Sequence, residues 1–96
     1  MNKRQQAALT RVADALDASE NVRELARAFA HHAFAAVLHV SQSVEAIAAS
    51  AVYAAFRRTD DTRTLDEVSG VADMNRIVLG RSYRHLTDES PLTSNL

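Results

Sequence analysis

The side chains best suited by type to bind a metal ion are four histidines: His31, His32, His39 and His85. A helical pair of ligands requires a spacing of three or four residues, so that both imidazoles face one ion. His31 and His32 are adjacent and point about 100° apart on a helix, while His39 lies two turns further along. No carboxylate stands at ligand spacing to complete a set. The sequence therefore predicts no metal site and no cofactor, and we interpret the histidines as residues at the rim of the core.

Catalytic groups are also lacking in this sequence. General acid–base chemistry requires two carboxylates that converge on a pocket, whereas the dense carboxylates at 60–61 and 66–67 fit a turn and a helix cap. No serine follows the nucleophile-elbow pattern, and the two glycines stand ten residues apart, too far for a phosphate-binding loop. The sequence predicts a protein that is not an enzyme.

Arginines supply the remaining chemistry, and six of them lie in the C-terminal half: Arg57, Arg58, Arg63, Arg76, Arg81 and Arg84. One interpretation is a phosphate-binding face, because Arg76 and Arg81 stand about one turn apart and could bracket a DNA backbone. The other is a set of helix-end charges and surface salt bridges. The formal net charge of −1 favours the second, because a free-standing DNA-binding domain usually carries a basic excess.

The composition predicts a single all-α domain. Hydrophobic residues make up 47% of the 96 residues, much of this fraction is alanine, and only two glycines and one proline interrupt the chain. There is no cysteine, which fits a reducing compartment. Neither a signal peptide nor a segment able to span a bilayer is visible, so we expect a soluble, cytoplasmic protein.

Apolar spacing and capping residues predict five helices in one domain over residues 1–89, followed by a mobile tail at 90–96. Either Ser19 or Asn21 caps the second helix, and a capping box, Thr64–Glu67, starts the fourth. The fifth is capped by Asp73 or Asn75 and ends at about residue 88. The third helix is apolar all round, which places it in the centre of a bundle. The first three are expected at about 5–17, 21–40 and 43–58, and the fourth ends at about 70–71.

Three segments carry a resemblance to a known family. Residues 43–57 read SVEAIAASAVYAAFR, which resembles the SIEGVAAAALYAACR helix of archaeal transcription factor B, the archaeal member of the transcription factor IIB family. The TLDEV at 64–68 is similar to the family's TLDEI or TLDEV, and the LGRSYR at 79–84 is similar to its IGRTYR. The correspondence has no gap from Ser43 to Leu86, and the GRTYR-like phrase is most similar to the first of the family's two cyclin repeats.

This resemblance implies a five-helix cyclin-like fold around the third helix. In the family, the core binds TATA-binding protein and promoter DNA, and a separate zinc ribbon recruits RNA polymerase. These 96 residues contain neither a zinc ribbon nor a second repeat. We therefore expect a protein that competes with or modulates the full factor rather than one that replaces it.

Departures from the family pattern bear on DNA binding. The family's RGRS loop before the third helix reads VSQS at 40–43, so both of its cations are absent. Asp73 stands where a helix-turn-helix usually carries glycine, and its charge would repel a phosphate. The candidate DNA contacts that remain are Ser41, Gln42, Arg76 and Arg81.

Other departures add apolar surface. The family's Lys-Glu pair at the start of the fifth helix reads Ile77-Val78, and commonly polar positions of the second helix read Ala35, Ala36 and Val37. Exposed apolar patches on soluble proteins usually mark contact sites. These five residues are therefore candidates for a protein interface, including one between two copies of the chain. For Ile77 and Val78, packing against the tail through Leu92 or Leu96 is an equal alternative.

Two functions follow as expectations. The first is a small transcription regulator that acts on the complex of TATA-binding protein and promoter DNA, or on another transcription protein. The second is a protein-interaction module, which includes a homodimer, that has lost DNA binding and offers an apolar groove to its partner. The salt dependence of binding separates the two, because phosphate contacts weaken steeply with salt and apolar contacts do not.

Overall fold

The computed structural model of the protein describes residues 1–36 and 42–89. Every regular element within these ranges is an α-helix, which confirms the prediction of an all-α, five-helix cyclin-like domain. None of the helices described is long and apolar enough to cross a membrane. The five are α1 (Lys3–Ala15), α2 (Glu20–Ala35), α3 (Val44–Arg57), α4 (Leu65–Val71) and α5 (Arg76–Glu89).

Helix α3 is the centre of the bundle, as its sequence predicts. All residues from Ala46 to Phe56 are buried, and α3 packs against each of the other four helices. Alanines at most of these positions allow neighbouring helices to approach closely, while Val52 and Phe56 fill the larger spaces. Because α3 contacts every other helix, it fixes the position of both the turn that precedes it and the face of α5.

Polar caps set where the helices begin. The hydroxyl of Ser19, rather than the side chain of Asn21, accepts the backbone N–H of Val22 at 3.3 Å and caps α2. Thr64 and Glu67 form the predicted capping box, with both side-chain-to-backbone distances at 3.1 Å. The Oδ1 of Asn75 accepts the Ile77 N–H at 2.7 Å, so Asn75 caps α5 and Asp73 does not.

The predicted boundaries of α1 and α2 differ from the structure, and α1 also ends at Ala15 rather than near Asp17. Helix α1 begins at Lys3 rather than near Gln5, because Asn2 and Gln5 form a capping box that the sequence analysis missed. Helix α2 ends at Ala35 rather than near residue 40, since the backbone of Ala36 is extended with ψ at 165°. Apolar spacing alone does not distinguish the end of a helix from an apolar segment that follows it. Residues 37–41 lie outside the described ranges.

The turn between α4 and α5 contains one residue with a positive φ. Asp73 adopts φ of 55°, in the left-handed region that glycine usually occupies at this place. A short polar side chain tolerates this conformation at moderate cost. The turn directs α5 across α3, where Leu79 and Leu86 are buried and leave the opposite face of α5 in solvent.

Candidate nucleic-acid and protein interface

An open groove of about 480 Å³ lies between the N-terminal end of α3 and one side of α5. We call it the α3–α5 groove. Two of the predicted DNA contacts, Gln42 and Arg81, meet here although they are far apart in the sequence. The residues that line the groove come from the turn before α3, the start of α3 and two turns of α5: Gln42, Ser43, Ala46, Val78, Arg81, Ser82 and His85.

Buried polar contacts hold the wall of the groove in place. The hydroxyl of Ser82 donates to Oε1 of Gln42 and lies 3.4 Å from the hydroxyl of Ser50, which donates to the carbonyl of Ile47 at 2.9 Å. These contacts connect α5 to α3 and to the residue before α3. The Nε2 of Gln42 is buried and has no hydrogen-bond partner among the described residues. The side chain of Gln42 is thus positioned by α5, and neither N–H of its amide has a partner among the described residues.

The charged side chain among the described residues of the α3–α5 groove is the Arg81 guanidinium. Arg81 and His85 stand one turn apart on α5, and no carboxylate is among the described residues that line the groove. Arg81 is exposed and forms no ion pair with any carboxylate whose side chain the structure describes. A guanidinium in this state retains donors for a phosphate or a carboxylate from another molecule.

Arg76 lies elsewhere and is engaged differently. Its guanidinium is 3.4 Å from the carboxylate of Asp66 on α4, and it does not line the groove. Both side chains of this pair are largely exposed, so the attraction is weak and does not prevent another contact. The structure therefore separates Arg76 from the surface that Gln42 and Arg81 share. The fourth predicted DNA contact, Ser41, lies outside the described ranges.

The predicted interface residues fall into two groups. Ile77 and Val78 occupy the first turn of α5 with 62% and 48% of their surface exposed. Among the described residues they are the only large hydrophobic side chains that are exposed. Ala35 is exposed and Ala36 is half-buried at the end of α2, and neither lines the α3–α5 groove. Val37 lies outside the described ranges.

Sequence reasoning missed four members of the groove: Ser43, Ala46, Ser82 and His85. His85 had been interpreted only as a residue at the rim. His85 lies four residues after Arg81 and seven after Val78, a spacing that predicts Val78, Arg81 and His85 on one side of a helix. Ser43 and Ser82 carried no comparable signal, because their position depends on how α5 crosses α3.

A second cluster surrounds Arg57 at the C-terminal end of α3. The rings of Tyr53 and Tyr83 meet edge to face with centroids 4.8 Å apart, and the Arg57 guanidinium lies 5.8 Å from the Tyr53 ring. A hydrogen bond to the Tyr53 hydroxyl, followed by the charges of the two phenolic groups, raises the pKa of Arg57. The contact between the two rings connects α3 to α5, and the Arg57 cation is favourable both beside the Tyr53 ring and at the C-terminal end of α3.

Metal-binding groups do not converge in the part of the chain that the structure describes. No three histidine, aspartate or glutamate side chains in those residues stand close enough to hold an ion. His31 and His32 lie on α2, and His85 lies on α5. His39 lies outside the described ranges.

Comparison with known proteins assigns the whole domain to one family. The family described as Transcription factor TFIIB repeat matches residues 2–89. Transcription initiation factor IIB of Methanothrix thermoacetophila is 42% identical over 84 residues, which cover 88% of this chain and 25% of that protein. The factors of the same name from Methanoregula boonei and from Methanococcus maripaludis are each 41% identical over 81 residues, covering 84% of this chain and 24% of each relative. The chain thus spans about a quarter of the length of these curated relatives.

Proposed function

The chain belongs to the transcription factor TFIIB repeat family, and we propose that it is a transcription regulator acting on the complex of TATA-binding protein and promoter DNA or on another transcription protein. The observation that carries the proposal is the match of the family over residues 2–89 together with the five-helix fold. Its curated relatives bear the name of an initiation factor. We propose no catalytic role.

The α3–α5 groove supports a contact with the backbone of promoter DNA. On the surface of the groove, where the amide nitrogen of Gln42 is buried, Arg81 offers guanidinium N–H groups that have no described carboxylate partner. Such groups suit phosphate oxygens, which position a protein on a duplex without reading its sequence. With a formal net charge of −1, the chain has little long-range attraction for DNA. We therefore expect binding to require TATA-binding protein.

Ile77 and Val78 favour a second candidate function. Large apolar side chains on the first turn of α5 form no hydrogen bond or ion pair with a phosphate backbone, but they can pack against the surface of another protein. In this alternative the domain is a protein-interaction module that has lost DNA binding, and a homodimer is one form of it. A mass corresponding to one chain by light scattering at tens of micromolar protein would remove the homodimer.

The first test is fluorescence anisotropy of a labelled promoter duplex titrated with the protein, with and without TATA-binding protein of the same organism. We expect binding only when TATA-binding protein is present. Arg81→Ala should weaken it about fivefold and reduce the salt slope by roughly 1, because one phosphate contact is lost. Arg76→Ala should have a smaller effect, since Arg76 lies away from the groove.

Arg84→Ala is the matched control for this test. Arg84 is an exposed arginine on the same helix that does not line the groove, so its removal changes the net charge by the same amount. Equal losses for Arg81→Ala and Arg84→Ala would indicate a general charge effect and not a phosphate contact in the groove. Flat titrations in both conditions would reject the promoter-complex role and favour the protein-interaction module.

A further inference from the structure

A cleft lies between α1 and α2 because both helices pack mainly against α3 and only lightly against each other. It has a volume of about 270 Å³ and shares no residue with the α3–α5 groove. We call it the α1–α2 cleft. This volume is near the lower end of the range for small-molecule sites, so the occupant that fits is a small molecule rather than a folded element of another protein.

The floor of the α1–α2 cleft is apolar. Leu9 and Ala13 of α1 and Ala26 of α2 line it, and each is at most 5% exposed. The short alanine side chains leave open the space that a larger residue would fill. Because these three side chains offer no hydrogen bond, only an apolar part of a ligand gains from contact with them.

Two guanidinium groups of α2 line the cleft, and the carboxylates that hold them do not. Nη1 of Arg23 lies 2.6 Å from Oδ1 of Asp14, and Nε of Arg23 donates to the Ala18 carbonyl at 2.8 Å. Nη2 of Arg27 lies 3.0 Å from Oε1 of Glu20. Neither carboxylate is among the described residues that line the cleft. These bonds use only some of the N–H donors of each guanidinium, so both arginines retain donors for an oxyanion in the cleft.

The spacing of the polar groups suits one small anion. Arg23 and Arg27 are one helical turn apart, so both can reach the same oxyanion. On α1, Gln6 and Thr10 are also one turn apart and line the cleft. The Thr10 hydroxyl has no hydrogen-bond partner among the described residues, and Nε2 of Gln6 donates to the Met1 carbonyl at 3.1 Å. The cleft therefore offers an apolar floor together with several hydrogen-bond donors.

We propose that the α1–α2 cleft binds a small organic anion, namely a carboxylate or a phosphate monoester that carries an apolar group. The oxyanion accepts hydrogen bonds from the guanidinium groups of Arg23 and Arg27, and the apolar group covers the floor. This goes beyond the proposed regulator function, because it adds a small-molecule site that is separate from the surfaces assigned to DNA or to a protein partner.

Simpler occupants satisfy only part of the cleft. An inorganic anion accepts hydrogen bonds from the two arginines but leaves the apolar floor in contact with water. A neutral apolar molecule covers the floor but forms no ion pair with either guanidinium. Since Asp14 and Glu20 already offset much of the charge of the arginines, the apolar contact and the ion pairs must both contribute to the affinity.

The test is an NMR titration of the ¹⁵N-labelled full chain with phenylacetate, phenyl phosphate, phenylacetamide and inorganic phosphate. The first two probes carry both an anionic and an apolar part, whereas phenylacetamide lacks the charge and inorganic phosphate lacks the apolar group. We expect saturable shifts of the backbone amides that line the cleft with phenylacetate or phenyl phosphate, at a dissociation constant of about 1 mM or lower. The other two probes should bind about tenfold more weakly or not at all.

Arg27→Gln tests the role of the guanidinium. It should weaken binding of the tighter anionic probe about fivefold and leave the phenylacetamide titration unchanged. Arg84→Gln is the matched control, because it removes the same charge from an exposed arginine of α5 that does not line the cleft. Both substituted residues are exposed, and circular dichroism checks that each variant retains the helical fold.

The ligand should also raise the midpoint of thermal unfolding, because it binds the folded protein and not the unfolded chain. This rise should be smaller for Arg27→Gln than for the parent and unchanged for Arg84→Gln. No DNA and no TATA-binding protein are present in either measurement, so a failure here is distinguishable from a failure of the promoter titration.

Several results would overturn the proposal. Absence of shifts at the cleft with both anionic probes at about 10 mM would do so. Equal affinities for phenylacetate and phenylacetamide would mean that the cleft makes only apolar contacts. Equal affinities for phenyl phosphate and inorganic phosphate, or equal losses for Arg27→Gln and Arg84→Gln, would indicate a general charge effect instead of a site.

Discussion

Arginines on the surface of α1 and α2 differ in their ion pairs from Arg81 on the exposed side of α5. On the first surface, Arg4 lies 3.4 Å from a carboxylate oxygen of Glu45, Arg23 lies 2.6 Å from Asp14, and Arg27 lies 3.0 Å from Glu20. On the exposed side of α5, Arg81 has no carboxylate partner among the described side chains and lies next to the exposed Ile77 and Val78. Three arginines of the first surface thus have carboxylate partners within the chain, whereas Arg81 has none among the described side chains.

The largest expected effect is a loss of stability when a side chain on the buried side of α5 is shortened, in contrast to its exposed side. Leu79→Ala removes a side chain that is 0% exposed and should lower the free energy of unfolding by about 2–5 kcal/mol. Ile77→Ala, two residues earlier on the exposed side, should change it by no more than about 0.5 kcal/mol. Urea unfolding followed by circular dichroism measures both. Similar losses for the two variants would mean that Ile77 is covered by the chain itself.

The next effect compares an arginine from each region. Arg23→Ala removes a hydrogen bond from Nε to the Ala18 carbonyl at 2.8 Å as well as the contact with Asp14, and should cost about 1–2 kcal/mol of stability. Arg81→Ala breaks no described ion pair and should leave stability within about 0.5 kcal/mol of the parent. Thermal unfolding at matched ionic strength checks the pair. A large loss for Arg81→Ala would show that its guanidinium has an intramolecular role.

A smaller effect, of opposite sign, is expected at the two left-handed aspartates. Asp73 has φ of 55° in the turn before α5, and Asp17 has φ of 51° after α1. Asp73→Gly and Asp17→Gly should each stabilise the protein by about 0.5–1 kcal/mol, because glycine relieves the cost of this backbone conformation. Chemical unfolding gives the stabilities. A clear loss in the Asp73 variant alone would mean that its carboxylate makes a contact that holds the turn.

The smallest effect concerns pH and the link between α1 and α3. The pKa of Glu45 is lowered from its usual value of 4.5, first by a backbone hydrogen bond at the start of α3 and then by the hydrogen bond and charge of Arg4. A lowered pKa stabilises the fold above the unfolded value, and that contribution disappears as the pH falls through the folded value. The pair is solvent-exposed, so the term should be at most about 0.5 kcal/mol.

Glu45→Gln checks this sign. The variant should be slightly less stable than the parent near neutral pH, and the difference should shrink below pH 4.5 and vanish as the pH falls through the lowered pKa of Glu45 in the folded protein. A difference between Glu45→Gln and the parent that grows as the solution becomes more acidic would contradict the lowered pKa.

Most of the fold could be predicted from short-range patterns. The almost wholly apolar segment between Val44 and Phe56 predicted the central helix, and the capping box at Thr64 predicted the start of α4. The end of α2 could not be predicted in the same way, because apolar spacing continues in the sequence past Ala36, whose own backbone is extended. The residues DNA or protein would contact were chosen by type and resemblance, and whether they bind stays a prediction.

The sequence by itself determined the family, the helical class and the chemical types available, because these depend on composition, periodicity and motifs along the chain. Only the tertiary structure decided which of those groups act together. It brought Gln42 and Arg81 to one groove, placed Arg76 beside Asp66 instead, and left Ile77 and Val78 in solvent. The physical reason is that the crossing of α5 over α3 sets both which side of α5 is buried and what stands opposite the other side.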